Sequence, residues 1–407
     1  MLTATLSTLL GQPEVSAFLR GIVGRGRYAN AYLFHGPHGV GKGTAALAFA
    51  RAALCERVPG AAAADEGPSL FDAAPAEPAH GGSSGDDACG QCRGCRMSGT
   101  LQHPDLKFLF PLSGEERSLE GTIEETLEEL RNDPLFVFQY EKAASIRISQ
   151  TRELIAELSY RPHTASRRVV VVRDCDRMRE DQFSALLKSI EEPGASTLWV
   201  LTTARLARVP VTIRSRCQRV RFRPLPESLV RDVLVRQANV EEKSARMLAA
   251  LAGGSLARAL AMRHADPDMK SQRDAAVQML SPALERNPAQ LVKAIQGVTA
   301  YGKAGRERLR MSLEFHQLWL RDALHLRYGA APETLVNRDL VVVLQRLASQ
   351  LDAAEIRRRL LVLEEALRAI DGNVSPDLTL FSTLARVAGD RLGEGAWPAH
   401  ATARWDV

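Results

Sequence analysis

The chain has 407 residues, 45% of them hydrophobic and 25% charged, which gives it the composition of a folded globular protein and enough length for two or three cores. No apolar run reaches the ~18 residues a membrane-spanning helix needs, so no membrane partner is expected. The opening segment "MLTATLSTLLGQPEVSAFLRG" lacks the basic start and cleavage site of an export signal, so the expected location is cytoplasmic. Within a net charge of +5 lie two opposed clusters: seven arginines and no acid across residues 205–223, and seven glutamates against one arginine across 115–129. Both can be solvated faces. The basic one also suits nucleic acid, nucleotide phosphate or a partner subunit.

In chain order, residues 14–23 carry the apolar spacing of a first helix. "AYLFHG" (31–36) is a short apolar run entering a glycine-rich turn, hence a buried strand, and "GTAALAFARAAL" (43–54) follows as a helix. Residues 57–88 are rich in Ala, Gly, Pro, Ser and Asp and read as a flexible insertion. A second, acidic insertion spans 113–141 and is expected to be partly helical. "SIRISQTRELIAELSYRP" (145–162) reads as a strand running into a helix, and "RRVVVVRD" (167–174) as a central parallel strand. Phe183, Leu186, Leu187 and Ile190 fall on one helical face that Pro193-Gly194 terminates, and "TLWVLTT" (197–203) is another buried strand. Strands alternating with helices imply a parallel α/β sheet. Beyond "FRPLPE" (222–227) strand signals cease and helical periods continue to about residue 392.

The strand–turn–helix at "FHGPHGVGKGT" (34–44) has the context of a phosphate-cradling loop. Gly36, Gly39 and Gly41 would let backbone N–H groups converge on phosphates, and Lys42 would add positive charge. The next position should carry a hydroxyl for Mg²⁺ but is Gly43, and Thr44 is displaced by the ~100° that a helix turns per residue. The second half of such a site is an acid at the end of a buried strand, and after "VVVV" stand Arg173 and Asp174. Like unit charges ~4 Å apart repel by about 4 kcal/mol at an effective dielectric of ~20, so an arginine in the metal-organising position is adverse. Two departures strike the same ion, and intrinsic hydrolysis is not expected. Any ATP binding should be weak or absent.

Two further motifs are chemically suggestive. Cys89, Cys92 and Cys95 lie within seven residues, a spacing that in a reducing compartment points to metal rather than disulfides. "PVTIRSRCQ" (210–218) places Ser215-Arg216-Cys217 within the basic cluster. Arg216 reads either as a salt-bridged surface residue or as a guanidinium offered to a neighbour's γ-phosphate, a contact worth roughly 10³–10⁵ in rate.

Taken in order, "GPHGVGKGT", "CGQCRGC", "HPDL", "SALLKSIEEP" and "TIRSRC" resemble the bacterial clamp-loader subunits of the AAA+ class, most nearly those of the delta-prime type that serve DNA polymerase III. The likeness covers about 1–265 apart from the two insertions. It implies an AAA+ α/β module over 1–225 with an inserted zinc module at about 55–107. A small helical lid at 226–270, an all-α collar domain at 275–395 and a tail at 396–407 would follow.

The resemblance also implies roles. Arg216, flanked by Ser215 and Cys217, would act in trans on the ATP of a neighbouring gamma/tau subunit. Cys55 would join the cysteine triplet as the fourth ligand of a structural zinc, although 57–88 lengthens the usual link; His80 or His103 are the alternatives. Thr203, with Thr202 beside it, matches a sensor at a strand end, and Arg258 in "GGSLARAL" (253–260) matches a second sensor on the lid. Delta-prime subunits typically lack a working ATP site, in keeping with Gly43 and Arg173. Such a chain is neither polymerase nor active ATPase. It would join gamma/tau and delta subunits in a pentamer that loads a sliding clamp on primed DNA. The competing expectation is an ATP-hydrolysing gamma/tau-type subunit using Thr44 and Asp174.

Overall fold

A computed structural model describes residues 4–58, 85–112, 119–133, 135–138, 144–191, 197–265, 302–371 and 374–388. Most of the 57–88 insertion, the 396–407 tail, His80 and the first part of the expected collar lie outside the described residues. Internal contacts divide the chain into two units, residues 1–240 with 252–261, and residues 241–251 with 262–407.

In the first unit, α1 (Pro13–Arg25) starts on a proline, which is suited to the first helical position, and stops at Gly26 in the left-handed conformation. β1 (Ala31–His35) leads through the glycine-rich turn into α2 (Lys42–Ala53), whose alanines are buried almost throughout. α3 (Arg93–Gly99) and β2 (Leu106–Leu109) follow. α4 (Leu119–Asn132) makes the acidic insertion partly helical, as its composition suggested.

After α5 (Ile148–Leu158) come β3 (Arg168–Val172), α6 (Glu180–Glu191), β4 (Thr197–Thr203), the short α7 (Val211–Arg216) and β5 (Gln218–Arg221). The strands form one parallel sheet in the order β2-β3-β4-β1-β5. Central strands of such a sheet are covered on both faces, and every residue of β3 is buried. Phe183, Leu186 and Ile190 of α6 pack with Val170, Val172, Trp199 and Leu201 in one apolar core. α8 (Glu227–Arg236) completes this unit together with the first part of α10 (Leu256–Ala265); α9 (Glu242–Leu251) belongs to the second.

The structure differs from the sequence reading at three places. The segment at 145 is no strand: Ser145 makes a single antiparallel bridge to Leu112 and the chain enters α5 directly. β2 and β5 were not expected as strands: each has four residues, and "QRVR" buries only Val220.

Asp105 of "HPDL" explains how the short β2 is held. Its buried carboxylate accepts hydrogen bonds from the backbone N–H groups of His163 (2.6 Å), Thr164 (2.8 Å) and Ala165 (2.9 Å), and from the Thr164 hydroxyl (3.1 Å). Burial works to raise its pKa, but these donors outweigh it and hold the carboxyl below its usual range. The loop before β3 is thereby tied to the start of β2.

The second unit is helical, with α11 (Gly302–Arg327), α12 (Val341–Gln350), α13 (Ala353–Asp371) and α14 (Pro376–Ala388) around a core that includes Leu313, Leu344, Leu363 and Leu384. Buried Asp322 fastens the turn after α11 by accepting from the backbone N–H and side-chain amide of Asn337, each at 2.8 Å. Among the described residues no helix is long and apolar enough to cross a membrane.

Candidate functional site

The loop between β1 and α2 has the backbone its glycines were expected to give. Gly39 and Gly41 take φ of 75° and 94°, which L side chains rarely adopt. At Gly36 a Cβ would lie 2.3 Å from the Phe222 carbonyl oxygen, and at Gly39 it would lie 2.1 Å from the Ser255 hydroxyl. The loop is thus packed against both the chain after β5 and the start of α10. Beside it opens a cavity of about 440 Å³, walled by His38, Lys42, Thr44, Phe138, Asp174 and Leu260 among others.

Lys42 is buried and folds back onto its own loop, donating to the carbonyls of Gly36 (2.9 Å) and Pro37 (2.5 Å). Burial is the main cause that lowers its pKa to about 8; Asp174 pulls the other way and Arg173 reinforces the drop. Burial likewise depresses His38.

Gly43 and Arg173 meet. A Cβ built on Gly43 would stand 2.2 Å from Nη1 of Arg173, so the guanidinium fills the space that a loop hydroxyl would take. Arg173 is held there on two sides. Its Cζ lies 4.1 Å from the centroid of the Phe138 ring, well within cation–π range, and its Nε is 3.3 Å from Asp174 Oδ2. The fold type implies magnesium at this point. The residues present do not fit it: the hydroxyl ligand is missing, and a fixed positive group stands in its place.

Asp174 is buried at φ 47°, and its backbone N–H donates to the Thr202 hydroxyl at 3.0 Å. Thr202 lines the cavity. The Thr203 hydroxyl instead donates to Asp176 Oδ1 at 2.8 Å, so the expected sensor position is committed to a buried carboxylate. Leu256, Ala257 and Leu260 form the α10 wall, and Arg258 is not part of it. Thr44 does line the cavity.

Residues that sequence reasoning passed over are Phe138, which backs Arg173, and Asp176. The apolar tetrad "LFVF" (135–138) ending an acidic insertion was the available signal for the first. All four of its residues line the cavity.

The four cysteines Cys55, Cys89, Cys92 and Cys95 come together, their sulphurs all within 4.8 Å of one another. Cys89–Cys95 and Cys55–Cys92 are each 3.9 Å apart, against ~3.8 Å for the edge of a tetrahedron with metal–sulphur bonds of ~2.3 Å. Backbone N–H groups of Cys89, Cys92 and Cys95 point at neighbouring sulphurs, which favours thiolates. A hydrogen bond from Cys95 pulls Cys55 down to about 5 and raises Cys95 in turn. Gly94 allows the approach, because its Cβ would lie 2.3 Å from the Leu54 carbonyl oxygen. His103 takes no part; its Nδ1 accepts from the Asp105 backbone N–H. This set could hold a metal ion, and four sulphurs suit zinc. Cys175 and Cys217 are buried core thiols, both pushed up by desolvation, Cys217 to about 12.

Arg216 is the exposed last residue of α7. It pairs with Glu191 at the end of α6 and donates to the Thr212 carbonyl at 3.1 Å. Ser215 is exposed beside it and Cys217 is buried behind it.

A parallel sheet with a phosphate loop after its first strand and helices on its faces is the architecture of the AAA+ class. Residues 11–69 and 76–226 match the family described as "DNA polymerase III, delta subunit", and residues 267–387 match "DNA polymerase III, delta subunit, C terminal". Among similar proteins, DNA polymerase III subunit delta' of Bacillus subtilis is 25% identical over 364 residues, 89% of this chain and 92% of that one. The Escherichia coli subunit delta' is 25% identical over 306 residues, 74% of this chain and 79% of that one. DNA polymerase III subunit tau of Bacillus subtilis is 24% identical over 62% of this chain but only 36% of its own length. The chain belongs to the DNA polymerase III delta-subunit family, and within it to the delta-prime clamp-loader subunits.

The Gly43–Arg173 contact makes a sharp expectation. Gly43→Ala lowers stability in the native background, because its methyl displaces the guanidinium from Phe138 and Asp174. With Arg173→Ala already present, the same change raises stability by about 0.5–1 kcal/mol, the usual gain for replacing glycine within a helix. Urea unfolding of the four proteins measures the cycle, and strictly additive effects contradict the contact.

Proposed function

We propose that this chain is the non-hydrolysing stator of a clamp loader, and that it presents Arg216 to the ATP of a neighbouring gamma/tau subunit. The observation that carries this is where Arg216 stands in the sheet. It ends α7 one residue, Cys217, short of β5, which runs parallel to β1 with Gln218 opposite Tyr32. The phosphate loop begins four residues further along β1, about 13 Å away at ~3.3 Å per residue. Arg216 and the chain's own loop are therefore at opposite ends of the same sheet, which supports a role for this exposed guanidinium toward another subunit's phosphate rather than its own. Its exposed pair with Glu191 contributes little stability, typically ~0–1 kcal/mol, and a triphosphate can displace it.

The chain's own site is consistent with a stator, since Arg173 displaces the machinery for magnesium. In this reading the complex is a cytoplasmic pentamer with gamma/tau and delta subunits that opens a sliding clamp and loads it on primed DNA. The lid over 226–270 and a collar over 275–395 belong to the same proposal, the second supported by the helical packing of α11 to α14. Zinc at Cys55, Cys89, Cys92 and Cys95 would be structural, because four sulphurs leave no open coordination position.

In a reconstituted complex, Arg216→Ala leaves assembly intact and lowers clamp- and DNA-stimulated ATP turnover. Arg216→Lys does not restore it, since an ammonium lacks the planar fork of the guanidinium. Turnover that is indifferent to both changes removes the finger assignment. For the metal, purified chain should carry about one zinc as measured by atomic absorption, and Cys92→Ser should lose it with a lowered melting temperature. A metal-free protein of undiminished stability rules the site out.

A further inference from the structure

We infer that the cavity beside the phosphate loop takes a nucleoside diphosphate without a divalent cation, with Arg173 supplying the positive charge that a metal would otherwise bring. The disagreement between this site and magnesium is specific in form. The loop has not collapsed: its glycines keep their positive φ values, and a space of about 440 Å³ remains open beside Lys42 and Thr44. What replaces the hydroxyl is itself a cation, filling the space that a side chain at Gly43 would occupy and steadied by the Phe138 ring and Asp174.

The charges select the ligand. Arg173 and Lys42 give two positive groups, and Asp174 removes one. So small a positive excess disfavours a metal-free triphosphate, which brings one more negative charge toward the Asp174 carboxylate than a diphosphate does. A guanidinium is well matched to phosphate oxygens, which it can grip with two parallel N–H groups. Lys42 is available to turn from the Gly36 and Pro37 carbonyls onto an anion at modest cost, since it exchanges neutral acceptors for charged ones. The apolar part of the wall, including Leu10, Phe136 and Leu260, offers a dry surface to the nucleoside. The inference concerns the chain's own loop and stands apart from the role proposed for Arg216.

The test is titration of the isolated full-length chain with a fluorescent N-methylanthraniloyl ADP, in excess chelator and in millimolar magnesium. Equal affinity in the two buffers is expected, with at least tenfold weaker binding in chelator for Arg173→Ala and an intermediate value for Arg173→Lys. Thermal melts of the variants confirm that they remain folded. Binding that requires magnesium, no binding at millimolar ligand, or an Arg173→Ala affinity equal to the native one each overturns the inference. Unlabelled ADP should compete better than either ATP without metal or inorganic pyrophosphate. Pyrophosphate competing as well as ADP overturns the nucleoside part, and ATP competing better overturns the diphosphate preference.

Discussion

The guanidinium of Arg173 lies where the phosphate loop would otherwise present a hydroxyl, and the chemistry assigned to this chain depends on that contact. One missing side chain at Gly43 creates the space and one long side chain from the end of β3 fills it. Neither change is arbitrary once the two are seen together. A hydroxyl-bearing residue at 43 would collide with Arg173, and a magnesium ion would face a fixed positive charge at a cost of several kcal/mol. The Phe138 ring on one side and Asp174 on the other keep the guanidinium from swinging away.

The rest of the fold preserves the scaffold around that substitution. The parallel order β2-β3-β4-β1-β5 aligns the C-terminal ends of β1, β3 and β4, so loop, Arg173, Asp174 and Thr202 gather at one end of the sheet. The same parallel rule sends Arg216, which ends α7 just before β5, to the other end. The loop leads into α2 and packs against Phe222 and Ser255, which is a structural reason for its glycines whatever the chemistry. The cysteine cluster sits beyond the other end of α2, where Cys55 follows the helix and Gly94 permits a close approach to Leu54.

Much of this was legible in the sequence because it is written in strong local signals. Four valines between charges mark a doubly covered strand, and three closely spaced cysteines mark a metal-type cluster. The glycine spacing marks a phosphate loop. Other features were hidden for definable reasons. β5 is an edge strand of four residues with one buried side chain, so it shows no apolar run, whereas β2 lies in the apolar run 106–112 and was passed over for its shortness. The engagement of Thr203 with Asp176, and the placement of Thr202 rather than Thr203 at the cavity, turn on which face of β4 each residue occupies. Phe138 could not be placed from the sequence, since its partner Arg173 lies thirty-five positions away and only tertiary packing joins them. The collision of Gly43 with Arg173 is of the same kind: each residue was visible as a departure, but their contact was not.

The central proposal is that this chain does not run the reaction its loop resembles. The most direct test is ATP hydrolysis by the isolated, purified protein in the presence of magnesium, sliding clamp and primed DNA. The account predicts no turnover above the protein-free blank. Magnesium-dependent turnover that disappears on Lys42→Ala would contradict it.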